Sequence, residues 1–500
     1  MDCQTAQCAE ASICAAKHLD SNSRKQLAVE VLARNEPVIQ IAERNGVSRK
    51  FLYGQAAKAD AALCEAFEDK AKADDVLFYL PVTKSWLYQL VLGLILICRS
   101  STRGVIELLR DLFQVKMSVG TVHNVVHSSV EDAQSINQAH DLSPIRVGAN
   151  DELFQAGRPV LVGADLRSTY CYLLACEDHR DAVTWGVHLL NLEKQGLHPD
   201  RIIADAGKGL RAGQALAWPK VPCHGDVFHG LQELGRLASF LERRAAGATS
   251  AREVLEQKMN KARNKSKGNT LSKKLALARA DESKFIQLSE DVSTLKQWMQ
   301  KDILCLAGPD YSTRKELYGF VIAQLTMFEP LCEHRIRPVR RSLENQQDDL
   351  LAFAKLLDAK FIEISTQFHV SLETVHELAQ VKGINEATPV RWEREAQVHS
   401  QLKGSFHAVE QAVLQALADT PRASSVIENL NSRLRNYFSL RKNIGPEYLD
   451  LLRFFLNHRT FMRSEHRDRV GKSPTELMTG HKHPHWLELL GFTPFCRQAA

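Results

Sequence analysis

For most of its length the chain repeats apolar residues at helical spacing, and one stretch, Ile145 to Asp226, changes to the alternation of strands. From Ser23, the positions Leu27, Val31 and Leu32 fall on one helical face, closed by Asn35-Glu36-Pro37. A short helix, Val38 to Asn45, the turn Gly46-Val47-Ser48 and a helix from Arg49 to Lys58 follow. Helix, glycine turn, serine cap and helix read as a helix-turn-helix, with Ser48, Arg49, Lys50 and Tyr53 on the recognition helix. Plain helical hairpins share this pattern. A second such unit follows: an apolar helix from Leu87 to Ile97, another capped by Ser101-Thr102 and running to Phe113, and a third behind Ser118. There Val119, Val122 and Val125 form the packing face, leaving Ser118 and Thr121 as candidate DNA contacts. Two tandem units favour DNA binding over the alternative, a helical bundle used for dimerisation.

After Leu142-Ser143-Pro144 the period falls to two. Ile145 to Asp151 reads as a strand ending in Asp151-Glu152, Gly157-Arg158-Pro159 as a turn, and Val160 to Asp165 and Thr169 to Cys176 as two further strands. An amphipathic helix, Asp181 to Leu197, then leads to a fourth strand, Arg201 to Ala204, which delivers Asp205 and breaks at Gly207 and Gly209. Val221 to Asp226 reads as a short fifth strand. Tight turns make the first three strands antiparallel, and the crossover helix makes the fourth parallel to one of them. From Phe228 to Ala418 the reading is almost wholly helical, with Trp298 read either as core, the favoured place, or as a ring stacking on a splayed base. Ser424 to Arg435 is a capped helix carrying Glu428, Asn431, Arg433 and Arg435. The expected layout is a helix-turn-helix unit over 1–80, a second over 81–142, a catalytic core over 143–235, a helical insertion over 236–418, and a closing helix with basic tail over 419–500.

Composition changes this picture little. Five hundred residues suffice for two to four domains, and a net charge of +5 is too mild to name a partner by itself. Local basic clusters, from Lys258 to Arg279 and at Arg335, Arg337, Arg340 and Arg341, read either as solvated helix faces or as a phosphate track. Eleven cysteines without a Cys-x-x-Cys pair read as reduced thiols. The N-terminus lacks the pattern of a signal peptide, and the longest apolar run, Trp86 to Cys98, is too short for a bilayer. The expectation is a cytoplasmic, nucleoid-associated protein with no membrane partner. No dinucleotide fingerprint or Walker lysine pattern is present. Cys223, His224, Asp226 and His229 lack the usual spacing of a zinc site.

A carboxylate delivered to a sheet edge, as Asp205 is, needs a cation, since an unpaired buried charge is costly. Asp151 and Asp165 both end apolar strands. The order of elements resembles a ribonuclease-H-like fold, which has three strands before the crossover helix; starting at Val160 leaves only two, so the resemblance favours Asp151 as the neighbour of Asp205. Asp165 then reads as the cap of the turn at Ser168. In that fold the first and fourth strands lie side by side, about 4.8 Å apart, so the resemblance implies that Asp151 and Asp205 share one ion, completed by Glu428. Oxygen ligands suit Mg²⁺, with Mn²⁺ as substitute. The glycines after Asp205 read as a bend keeping backbone clear of metal and DNA.

This order of elements resembles that of a ribonuclease-H-like catalytic core. Several segments together resemble the DDE transposases of bacterial insertion sequences: Asp151-Glu152-Leu153-Phe154, the Pro159–Asp165 strand, Asp205-Ala206-Gly207-Lys208-Gly209, Ser425 to Arg435, Asn457-His458-Arg459 and Lys472-Ser473-Pro474. Asp226-Val227-Phe228-His229 resembles the signature, Cys or Asp then His three residues on, of Mutator-like and related members with a helical insertion. The resemblance implies an α/β ribonuclease-H-like core with a large all-α insertion behind helix-turn-helix units. It also implies a catalytic, metal-holding triad of Asp151, Asp205 and Glu428, with Asp226 and His229 supporting the ligands. Asn431, Arg433 and Arg435 become candidate phosphate contacts. Double-stranded DNA, as terminal repeats and target, is the implied partner, and a homodimer or higher oligomer the implied assembly. The rival readings are a catalytically silent helix-turn-helix regulator and a structure-specific nuclease of the same fold.

Overall fold

The computed structural model describes residues 19–67, 80–261, 265–422, 425–440 and 445–493. Residues up to Pro81 form one compact unit and those from Val82 to Phe495 another.

The first unit packs α1 (Ser21–Ala33), α2 (Val38–Asn45) and α3 (Arg49–Phe67) around Leu27, Val31, Ile41, Val47 and Leu52. Gly46 ends α2 in the left-handed region at φ 62°, which glycine enters without strain, and turns the chain towards α3. Ser48 Oγ accepts the Phe51 N–H at 3.2 Å, covering one of the open donors of α3. Arg49, Lys50 and Tyr53 are exposed along its first turns.

The second unit opens with α4 (Lys84–Leu96), α5 (Thr102–Phe113) and α6 (Val119–Ala139). One mixed sheet follows: β1 (Val147–Gln155), β2 (Arg158–Asp165), β3 (Cys171–Cys176), β4 (Arg201–Ala204) and β5 (Cys223–Gly225), with α7 (Ala182–Lys194) before β4 and α8 (Lys208–Ala217) after it. The strand order is β3-β2-β1-β4-β5; β1 pairs antiparallel with β2 and parallel with β4. The β1–β2 turn falls at Ala156-Gly157, both at positive φ (50° and 86°), one residue before the turn read from the sequence, and β1 runs on past Asp151 to Gln155. Asp151 therefore lies in mid-strand opposite Val162, not at a strand end.

The remainder is helical: α9 (Val227–Asn260), α10 (Lys265–Trp298), α11 (Tyr311–Phe328), α12 (Glu333–Asn345), α13 (Gln347–Phe368), α14 (Leu372–Lys382), α15 (Pro389–Leu402), α16 (Phe406–Ala418), α17 (Ser425–Leu440), α18 (Pro446–His458), α19 (Pro474–Thr479) and α20 (Trp486–Leu489). The chain thus combines a small α/β core with extensive all-α regions. Helices α9 and α10, each 34 residues, pair along a span of about 50 Å at 1.5 Å per residue. Among the described residues no helix is long and apolar enough to cross a membrane.

The strand period divides the sheet's side chains between two cores. Ala149, Leu153, Val160 and Val162 face α17, α18 and the α4–α6 helices. Leu161, Tyr172 and Ile202 face Trp185 and Leu189 of α7 and Leu210 of α8. Two of the glycines beyond Asp205, Gly209 and Gly213, serve this second face. A Cβ on Gly213 would lie 2.6 Å from the Trp185 side chain and 2.7 Å from the Ala182 carbonyl, and one on Gly209 would meet the Arg180 carbonyl. The missing side chains of Gly209 and Gly213 seat α8 against α7, whereas a Cβ on Gly207 would meet Asp205 Oδ1 at 2.8 Å, so that glycine keeps the bend clear beside the carboxylate. Trp298 is not core: it is 39% exposed and packs its ring 5.6 Å from that of Phe320.

Candidate metal centre

Asp151 points from the middle of β1 to the α17 face and is 6% exposed. Its Oδ1 accepts the Glu152 N–H at 2.8 Å, and its Oδ2 accepts the Asn431 amide from α17 at 2.5 Å. Glu428 stands one turn earlier on α17, which packs on β1 and β2. The third member comes from the start of α9. There Asp226 caps the helix, taking the Phe228 N–H on Oδ1 at 2.9 Å and the His229 ring on Oδ2 at 2.6 Å. This turns His229 Nε2 towards Glu428 Oε1, 3.4 Å away. One ligand atom each from Asp151, His229 and Glu428 lies within 4.8 Å of the other two.

Asp205 follows the last parallel pair, Asn150 with Ala204, which brings it alongside Asp151 in register. It falls outside the three-residue group, and its Oδ1 accepts the Gly207 N–H at 2.9 Å. Its charge still reaches the site. Burial pushes the Asp151 carboxyl up to about 6, with Asp205 and Glu428 adding to the rise against the Glu152 hydrogen bond and the attraction of His229. For His229, burial acts downward, but the Asp226 hydrogen bond and the charges of Asp226, Asp151 and Asp205 prevail and push it up to about 9. The cleft thus gathers four carboxylates around one imidazolium.

The donor chemistry fits a divalent cation. Carboxylate oxygens are the hard ligands Mg²⁺ takes, and a further positive charge offsets the surplus of acid around Asp151. Asp151 and Glu428 offer oxygen donors within the three-residue group, with Asp205 alongside in register, and His229 Nε2 would offer a nitrogen, which suits Mn²⁺ better than Mg²⁺, only once deprotonated.

Other residues singled out in the sequence lie elsewhere or are otherwise engaged. Glu152, next to Asp151, faces the opposite side of the sheet, bonded to Arg180 at 2.8 Å and Trp185 Nε1 at 2.9 Å. Asp165 is buried in its own turn, accepting from Ser168 N at 2.8 Å, Ser168 Oγ at 2.5 Å and Arg167 N at 3.3 Å. Asn431, expected at a phosphate, is fully buried and spent on Asp151, so it orients a carboxylate instead. Arg435 is exposed. Ser118 caps α6 through the Thr121 N–H at 3.0 Å, and the Thr121 hydroxyl lies 2.9 Å from that of Ser118. Of the second basic cluster, Arg337 and Arg340 are both held by Glu329. Cys223 and His224 are not part of the metal-capable group. Sequence reasoning missed Asn431 as the donor to Asp151, and the only signal for it was its place one turn after Glu428.

Comparison with known proteins finds no family model that matches the chain and no matching curated protein.

Proposed function

We propose that this chain is a metal-dependent DNA transposase, which cuts at the ends of a mobile element and joins the freed 3′ ends to target DNA. The observation that carries this reading is the meeting of Asp151 with the α17 helix of Glu428 and Asn431, Asn431 lying 280 residues away in sequence, beside the Asp205 end of the adjacent parallel strand. The order β3-β2-β1-β4-β5, with three antiparallel strands and a fourth parallel to the first, supports a ribonuclease-H-like core. Acids on the first strand, at the end of the fourth and on a late helix are the positions such a reading requires.

In this reading Asp151, Asp205 and Glu428 hold Mg²⁺ or Mn²⁺. The ions, when bound, activate the attacking oxygen and stabilise the leaving oxygen of a phosphodiester. The chain's own groups prepare the site. Asn431 fixes the Asp151 carboxylate, and Asp226 fixes the ring of His229 so that Nε2 carries a proton towards Glu428 and any phosphate oxygen beside it. The exposed Arg49, Lys50 and Tyr53 of α3 supply sequence-reading contacts, and Arg435 a backbone contact. Two element ends must be held at once, which requires a dimer or larger assembly.

The test uses labelled DNA from the ends of the segment encoding the chain, a target plasmid and Mg²⁺, with wild type beside Asp205→Asn. Joined products from wild type alone support the reading. Cleavage without joining makes the protein a nuclease, and binding with no cleavage by either makes it a DNA-binding regulator.

A further inference from the structure

A second group of unbalanced charge lies on another side of α17. Arg433 is five residues beyond Glu428, turned about 140° around the helix axis at 3.6 residues per turn. Arg99, just past the end of α4, holds a left-handed backbone at φ 59° and sets its guanidinium carbon 5.2 Å from the centre of the Tyr437 ring. Arg459, directly after α18, lies 5.8 Å from the centre of the Phe455 ring. All three are half-buried. The Nε atoms of Arg99 and Arg433 are buried with no hydrogen-bond partner. Among the described residues none of the three forms an ion pair, whereas nearby Arg453 meets Asp450 at 3.5 Å. The acidic groups beside Arg433 do not supply the missing charge. Burial pushes the Cys171 thiol up to about 12, so it stays neutral, and the Tyr437 hydroxyl donates to the Leu96 carbonyl at 2.6 Å.

Arg99 lies over the ring of Tyr437, which follows Arg433 by one turn of α17, and the charge of Arg459 also reaches Arg433, so the three guanidinium groups share one neighbourhood without an ion-paired carboxylate among the described residues. Burial, together with the charges of Arg459 and Arg99, holds Arg433 below the ordinary arginine range. Such a cluster is costly unless an anion joins it. Guanidinium groups are planar forks that pair two N–H donors with two oxygens, and a phosphate offers several oxygens and up to two negative charges. We propose that Arg99, Arg433 and Arg459 form a binding site for a phosphate group, separate from the carboxylate centre. The phosphate comes either from a nucleic-acid backbone or from a free phosphate-bearing solute.

The experiment is thermal melting of the full chain without divalent metal, in inorganic phosphate and in chloride of equal ionic strength. It uses wild type, Arg459→Gln and Arg99→Gln. Phosphate raises the wild-type midpoint by about 3–5 °C, the scale expected from saturating one site. Each variant loses that shift, and in chloride each melts no lower than wild type, because removing one charge relieves the repulsion. A short DNA duplex that abolishes the phosphate shift assigns the site to backbone phosphate, and a duplex that leaves the shift intact assigns it to a free solute. A wild-type midpoint indifferent to phosphate overturns the proposal. So does a shift that survives in both variants. With no metal present, the result is independent of whether the chain cleaves DNA.

Discussion

Two histidines, His229 half-buried and His458 buried, show how neighbours, more than burial, decide what a polar group does in this fold. Burial acts downward on both. At the mouth of the acidic cleft, Asp226 and its companion carboxylates push His229 up to about 9. Behind the other end of the sheet, His458 bonds the Phe454 carbonyl at 2.8 Å and lies beside two more histidines, His140 at 3.1 Å between Nε2 atoms and the ring of His483 at 5.0 Å. There burial wins, and His458 is pushed down to about 3. The first site collects charge in excess of what the protein neutralises, and the second excludes it. A similar contrast separates two buried aspartates. Asp165 receives three donors from its own turn, whereas Asp151 receives two and faces further acids. Saturation marks the structural group, and surplus charge marks the one available for chemistry.

The largest expected effect breaks the acidic side of this contrast. Asp151→Asn lowers metal-dependent DNA cleavage on the order of a thousandfold, the scale seen when one preorganised electrostatic partner is lost. The same change removes a poorly compensated buried charge, so the metal-free variant is more stable by on the order of 2 kcal/mol at pH 8, read from urea denaturation. A variant that loses activity together with stability would show that Asp151 is structural.

Next in size is acid destabilisation through His458. Its folded pKa lies below its unfolded value, so the unfolded chain binds the proton more readily. Its share of stability is complete above pH 6.5 and is lost as pH falls towards 3. Between pH 7 and pH 5 wild type should lose about 2 kcal/mol more than His458→Gln in matched denaturant titrations. Equal losses would mean that His458 titrates normally in its corner.

Asp165→Asn tests the saturated carboxylate and carries the smallest effect. It loses an acceptor for Ser168 and should cost about 1–2 kcal/mol of stability while leaving metal-dependent cleavage near wild type. A large loss of cleavage in this variant would move the first metal ligand from Asp151 to Asp165.

Much of the frame was legible because it rests on local periodicity. The alternation from Ile145 to Cys176, the stop before Arg201 and the glycine break after Asp205 all lie within a few residues of the elements they define. The β1–β2 turn was misplaced because Ala156, which carries no turn signal, takes the left-handed position before Gly157. What the sequence could not show was contact across long separations. Asn431 reads as an exposed polar residue until α17 is laid on β1, and Arg99 and Arg459 sit at the ends of helices that nothing local brings together. Charge clusters stay ambiguous along the chain for the same reason. Arg337 and Arg340 look free along the chain, yet in the fold both meet Glu329.

The late position of α17 bears on how the protein is made. All five strands leave the ribosome before Phe228, but the helix that covers one face of the sheet follows about two hundred residues later, tens of seconds at usual elongation rates. During that interval Val160, Val162 and Leu174 lack their cover from Ile427, Leu430 and Leu434. The nascent chain thus carries an open apolar sheet that invites chaperone binding or aggregation. A chain stopped short of Ser425 keeps that exposed face permanently and loses Glu428 and Asn431 with it.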